Sequence, residues 1–248
     1  MRQENPPDFL HSRRFAAIAL IMGLVGVAAK MATISTYDGF LSAEFPELIQ
    51  KWNYLGFFTY TTNILVDSWL ILTALSIIFK RGAMTHFLTG ASLQGFLTVM
   101  IFVVGAIYCC FMLWFDKLFS WSLWWGNLVN FWHHVVMPGF MMFLFFRPAG
   151  RTRLGGRDLG LWTIYPIAYL LVTLARGGRV NWYPYPFFDR TWETFAQLNI
   201  PPRLGISLAI IFVTAFILST SWLAIRVHNR IIRRGIDNQN GRSSNEAA

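Results

Sequence analysis

The sequence predicts an all-α polytopic membrane bundle of six transmembrane helices with both termini cytoplasmic, and three observations carry that reading. Of the 248 residues, 55% are hydrophobic and 17% aromatic, whereas only 13% are charged, against about 25% in soluble domains. The apolar residues fall into six runs, each close to the roughly 20 residues a helix needs to cross the hydrocarbon layer. The basic residues, finally, are shared unequally between the two ends of those runs. A chain so poor in charge has too little polar surface to face water. In lipid, only helices or closed barrels satisfy every backbone group internally.

The first run, Phe15 to Ile34, follows Arg13 and Arg14 and carries one charge, Lys30. Its basic start, apolar middle and small residues at the end of "RRFAAIALIMGLVGVAA" also suit a signal peptide. The apolar stretch is long and the small-x-small cleavage pattern poorly formed, so it is expected to stay as a span. The second run is Tyr54 to Phe79. The third, Leu88 to Trp114, is long enough to be tilted. Asn127 to Phe146 is the fourth, Leu161 to Arg176 the shortest and fifth, and Leu204 to Arg226 the sixth. The organisation expected is a cytoplasmic segment 1–14, a membrane domain 15–226 and a tail 227–248, basic and then polar and disordered at "GIDNQNGRSSNEAA".

Lys and Arg held in the cytoplasm during insertion orient the bundle. Fourteen lie on the side of the termini and six on the other, with Lys30 inside the first span. The net charge of +9 is thus explained by topology and anionic lipid rather than by nucleic acid. No Gly-rich phosphate loop, recognition helix or aromatic RNA-binding signature is present. The two cysteines, Cys109 and Cys110, are neighbours in an apolar run and form neither a disulfide framework nor a zinc spacing. No internal repeat supports an inverted-repeat transporter.

Polar groups in lipid cost several kcal/mol unless paired or functional, so they are the informative residues. Entering from the outer side, the second span places Thr59 about 8 Å along and the fourth places His134 about 10 Å along. Thr59, Asn63 and Asp67 recur every four residues on one broad face. Asn127, Asn130 and His134 form a narrower stripe, while His133 lies about 100° around from His134. Lys30 is near the outer end of the first span, Arg176 ends the fifth at that surface, and "RGGRVNWYPYPFFD" follows. Thr59 and Asn63 could simply glue helices together. Asp67 could be protonated or paired with Lys30. The aromatic and proline-rich "NWYPYPFFD" is expected to be extended and stiff, an aromatic-belt loop that could also form a rim or lid with Tyr183 and Tyr185. Pro138, four residues after His134, should kink the helix beside the histidines.

Three segments, "FFTYTTNILV" (57–66), "HHVVMPG" (133–139) and "WYPYPFFD" (182–189), occur in this order on a six-span chain. In this the sequence resembles an uncharacterised bacterial six-transmembrane-helix integral membrane family, over nearly the whole chain. More remotely, it resembles the androgen-induced-gene-type membrane hydrolases, which use a threonine nucleophile and a histidine on fatty-acid esters of hydroxy fatty acids. The resemblance implies a multi-pass protein of the bacterial cytoplasmic (inner) membrane. It also implies Thr59 as nucleophile, with Thr61 and Thr62 beside it. The bacterial spacing of four before Pro138 selects His134 as base, and the eukaryotic spacing of five selects His133.

The leading expectation is therefore an intramembrane lipid-ester hydrolase. Thr59 would attack the carbonyl with His134 as base, since a hydroxyl nucleophile needs one. Asn63 or Asn130 would donate to the oxyanion. Asp67, about 12 Å along the helix from Thr59, is too far to complete a triad. His133, Tyr183, Tyr185 and Arg176 would join Asn63, Asn130 and Asp67 in binding substrate. The alternative, from another class, is a transporter or lipid-binding protein in which Lys30, Asp67 and Arg176 hold ions or headgroups. No cofactor or metal is expected, because His11, His86 and His228 fall in cytoplasmic segments and leave only the adjacent pair in lipid. The expected partners are the bilayer and a lipid or fatty-acid ester.

Overall fold

A computed structural model of the chain describes residues 9–36, 53–114, 124–147 and 152–246, and among them every regular element is helical. Among the described residues, six helices are long and apolar enough to cross a membrane: Arg13–Ala32, Phe58–Ile78, Ala91–Cys110, Leu128–Phe145, Gly156–Val180 and Pro202–Gly235. The protein is thus an all-α, multi-pass bundle.

Helix α1 (Arg13–Thr36) is started by Ser12. The Ser12 hydroxyl accepts from the Phe15 N–H at 3.1 Å and donates to the Phe9 carbonyl at 2.7 Å, satisfying one of the donors a helix start leaves unpaired. Helix α2 (Phe58–Ile78) ends where Lys80 adopts φ 54° and turns the chain into the short α3 (Gly82–Leu88). The Trp69 indole donates to the Leu88 carbonyl at 2.7 Å and ties that turn back to α2. Helix α4 (Ala91–Trp114) follows.

The fourth span is not one regular helix. It comprises α5 (Trp124–Phe131), a π-helical turn (Trp132–Val136) and α6 (Met137–Phe145). In the π turn the Met137 N–H reaches the Trp132 carbonyl, five residues back. Pro138 brings no N–H, and the backbone absorbs that loss by widening the turn before the proline rather than by a simple kink. Both histidines lie in this turn.

Helix α7 (Gly156–Val180) is longer at both ends than the apolar run in the sequence. Asp158 accepts from the Gly155 N–H at 2.8 Å at its start, and Asn181, at φ 49°, ends it in the left-handed region. These capping signals are polar, so a hydropathy window does not see them. A short α8 (Glu193–Gln197) leads to α9 (Pro202–Glu246). The helix thus runs on through the polar tail expected to be disordered. Extending a helix already nucleated by a membrane span costs far less than starting one, and no proline interrupts residues 203–246.

Two contiguous cores share α4 and α6. Phe15, Val66, Leu70, Ile101, Met137 and Leu144 join α1, α2, α4 and α6, and Met100, Phe145, Trp162 and Ile217 join α4, α6, α7 and α9. Close approach depends on glycine. A Cβ on Gly95 would sit 2.6 Å from the Trp162 ring, and one on Gly23 would sit 3.0 Å from the Asp67 carbonyl. Packing through small residues is how membrane helices associate where lipid offers no hydrophobic drive between them. Ile164, Ile167, Leu171 and Val172 of α7 and Ile211 and Phe212 of α9 point outward, as a lipid-facing surface requires.

Candidate functional site

The polar residues divide into a buried charged cluster, a hydroxyl rim and a stacked histidine. In the cluster, the Lys30 ammonium of α1 donates to Asp67 Oδ2 of α2 and lies 3.2 Å from His133 Nε2 in the π turn. Nδ1 of His133 lies 3.0 Å from the Val129 carbonyl, which can only accept. The Nδ1 hydrogen therefore points there, and Nε2 offers its lone pair to Lys30 in a neutral imidazole. The Gly26 carbonyl stands 3.3 Å from the same Nε2. These residues are 6% (Lys30), 0% (Asp67) and 6% (His133) exposed.

Local sequence explains the assembly. Gly26 precedes Lys30 by one helical turn, so both face α2. A Cβ on Gly26 would collide with the Asp67 carboxyl group. Glycine thus brings α1 near enough for the lysine to reach both partners. The extra residue in the π turn gives His133 its direction toward α1. Asp67 Oδ1 is buried and has no hydrogen-bond partner among the described residues.

The rim lies where α2 begins. No side chain of its own caps this helix. Tyrosines from α7 and the following loop serve instead. Tyr169 OH accepts from the Phe58 N–H at 3.1 Å and donates to the Gly56 carbonyl at 2.8 Å. Tyr185 OH lies 3.4 Å from the Thr59 nitrogen and 3.3 Å from its hydroxyl oxygen. Tyr165 OH bridges the Thr61 and Thr62 hydroxyls at 2.8 Å and 3.0 Å. Asn63 donates to the Thr59 carbonyl at 2.9 Å, and its buried Oδ1 has no partner among the described residues. Phe57 meets Trp182 and Tyr185 edge-on, Arg176 lies 5.2 Å over the Trp182 ring, and the Tyr183 ring occupies the place a Cβ on Gly177 would need. The proline-rich loop is thereby strapped onto α2. Burial pushes the Tyr185 phenol pKa up, and its bonds to Thr59 offset part of that rise.

His134 belongs to neither group. Its Nδ1 donates to the Asn130 carbonyl at 2.8 Å, and its ring stacks on Tyr108 of α4 with centroids 3.7 Å apart. A Cβ on Gly105 of α4 would lie 2.5 Å from the His134 carbonyl oxygen and 2.9 Å from Pro138. The carbonyl that Pro138 leaves without its usual donor therefore packs directly on α4.

Among the described residues, no hydrogen bond joins Thr59 to His134; Thr59 pairs with Tyr185, and His134 with its own helix. Lys30, Asp67 and His133 come together, whereas Arg176, Tyr183 and Tyr185 share the rim. Asn130 contributes its carbonyl to His134, and the side chain of Asn127 lies outside the described residues. Sequence reasoning passed over Tyr165, Tyr169 and Tyr108. The first two were legible as a pair four apart on the fifth span, one helical turn of phenols in lipid. Gly26 gave no signal, because its role is a distance between helices. Among the described residues, no group of three or more His, Cys, Asp or Glu could hold a metal ion.

The cluster joins an amine, a carboxylate and an imidazole, the side chains that exchange protons, across three spans. The rim presents neutral hydroxyls. No protein-family model matches the chain, and neither a curated protein nor a solved structure matches it.

Proposed function

We propose that this multi-pass membrane protein is a proton-coupled carrier in which Lys30, Asp67 and His133 form the proton-exchanging centre. The observation that carries the reading is the buried contact of all three side chains, from α1, α2 and the π turn. Stability supplies no reason for it: a buried ion pair is often matched or bettered by well-packed apolar residues, by about 1–4 kcal/mol. Ionisable groups within a membrane span instead mark proton relays and ion or substrate pathways. A proton arriving at Asp67 would remove the charge that holds Lys30 and leave the ammonium to His133. Each protonation state therefore favours a different arrangement of three helices. The π turn is the pliable element beside it, since its hydrogen bonds already depart from the regular α-helical ladder.

The reading is tested in proteoliposomes under an imposed pH gradient with a panel of small polar and amphiphilic solutes. Gradient-driven accumulation is expected for the native chain and abolished in Asp67→Asn. Accumulation that ignores the gradient, or survives the substitution, refutes it.

A second reading, the lipid-ester hydrolase of the bacterial inner membrane implied by the remote resemblance, has one observation in its favour. With Nδ1 committed to Asn130, His134 Nε2 is left as an acceptor with no hydrogen bond among the described residues. Such a nitrogen has the protonation state a general base needs. It requires closure of Thr59 onto His134, and release of Thr59 from Tyr185. Labelling by an activity-based hydrolase probe that disappears in Thr59→Ala would favour this reading over the carrier.

A further inference from the structure

We infer that the junction between α9 and the segment preceding α7 is a binding site for the phosphate of an anionic phospholipid headgroup. It lies at the opposite end of the bundle from the hydroxyl rim and is independent of the carrier reading. Along α9, Arg226, Arg230 and Arg233 fall within about 60° of one another, with Arg234 about 40° further round. All four are exposed. The segment before α7 is locked to α9 by Asn229, about 40° round from Arg233, which accepts from the Leu154 N–H at 3.0 Å and donates to the Leu154 carbonyl at 2.8 Å. On the opposite side of α9, His228 stacks on Phe145 at 4.7 Å and lies 3.2 Å from the Thr152 carbonyl. Exposed Arg153 adjoins Leu154 and exposed Arg157 lies three residues further on, so both belong to the stretch that this clamp holds against α9.

Position and charge both point to lipid. The Arg226 guanidinium lies 4.1 Å over the ring of Trp222, a half-exposed indole of the kind that marks a membrane interface. Arg230 follows about 6 Å further along the helix axis, within an interfacial layer of about 5–8 Å. Arg233 lies just beyond it. The nearest acidic residues do not neutralise the cluster. Asp158 is engaged at the start of α7, Asp237 lies a turn beyond Arg233, and among the described residues neither pairs with any of the six arginines. All six basic groups are arginine, whose planar fork grips phosphate through two hydrogen bonds where lysine offers a point charge. A positive-inside bias alone asks only for charge, whereas the Asn229 clamp also fixes the backbone beside Arg153 against α9.

The test uses the full chain reconstituted in phosphatidylcholine membranes, with spin-labelled phosphatidylglycerol and spin-labelled phosphatidylcholine as probes. The native chain should select phosphatidylglycerol, and each Arg→Gln change should lower that selectivity roughly fivefold. Asn229→Ala alters no charge. It should lower selectivity as far as Arg153→Gln/Arg157→Gln together, and add nothing when combined with them. Equal selectivity in Asn229→Ala and the native chain would reduce the effect to diffuse charge on one helix and overturn the site. Displacement of the labelled lipid by millimolar inorganic phosphate at constant ionic strength would make it a free-anion site and overturn the lipid assignment.

Discussion

Replacing Asp67 by Asn should destabilise the protein far more than replacing Asp67 and Lys30 together. Asp67 is wholly buried and Lys30 is 6% exposed, so neither side chain can turn to water when its partner is lost. Asp67→Asn leaves an ammonium in lipid-like surroundings with only neutral acceptors, the new amide oxygen and His133. Lys30→Gln leaves a carboxylate whose Oδ1 already has no partner among the described residues. Breaking a buried pair in this way costs about 3–5 kcal/mol per single substitution. Lys30→Gln/Asp67→Asn keeps the volumes, removes both charges and lets the two amides bond each other, so its cost should be about 1 kcal/mol. The expected signature is a double variant more stable than either single one, with a coupling energy above about 3 kcal/mol. Ordinary interhelical hydrogen bonds in membranes give coupling of about 0.6 kcal/mol. Reversible unfolding in mixed micelles, followed by far-ultraviolet circular dichroism over an SDS titration, measures all four forms. If the double variant loses the sum of the singles, the two charges do not support each other and the assignment of the cluster fails.

Gly26→Ala forces a methyl group against the Asp67 carboxyl, and should lower stability by about 1–3 kcal/mol in the same titration. Gly139→Ala is its control: that Cβ meets nothing within 4 Å, and alanine in a helix interior should stabilise by about 0.5–1 kcal/mol. Tyr185→Phe removes the hydroxyl that binds Thr59 and should cost about 0.5–1.5 kcal/mol, read as a shift of the unfolding midpoint. Because burial raises the Tyr185 phenol pKa above its unfolded value, the folded state holds that proton longer. Its contribution is complete below pH about 10 and lost as pH rises through the higher folded value. The fall in stability above pH about 10 should therefore be shallower in Tyr185→Phe than in the native chain. An identical slope would show that this phenol is not held in its neutral form by the fold.

How much could be read from the chain varies with the range of the interaction. The six spans follow from local hydropathy, because lipid acts on each apolar run separately. The ends of α7 were misplaced for the same reason: capping by Asp158 and Asn181 depends on single polar residues that an average over 20 positions dilutes. Lys30 and Asp67 were visible as charges lipid cannot tolerate alone, and a pairing between them was open. Their third partner was not visible, because the spacing of His133 and His134 fixes an angle between them and not which neighbour each one meets.

The sequence by itself determined an all-α, six-span bundle, the placement of rare polar groups within it, and a broken ladder before Pro138. Only the tertiary structure decided that His133 faces Lys30, that His134 stacks on Tyr108, and that Thr59 is held by Tyr185. The physical reason is that these contacts depend on how closely helices approach, which Gly26 and Gly105 set by lacking a side chain, and on a π turn whose extra residue redirects two adjacent imidazoles. Periodicity along one helix carries no information about either.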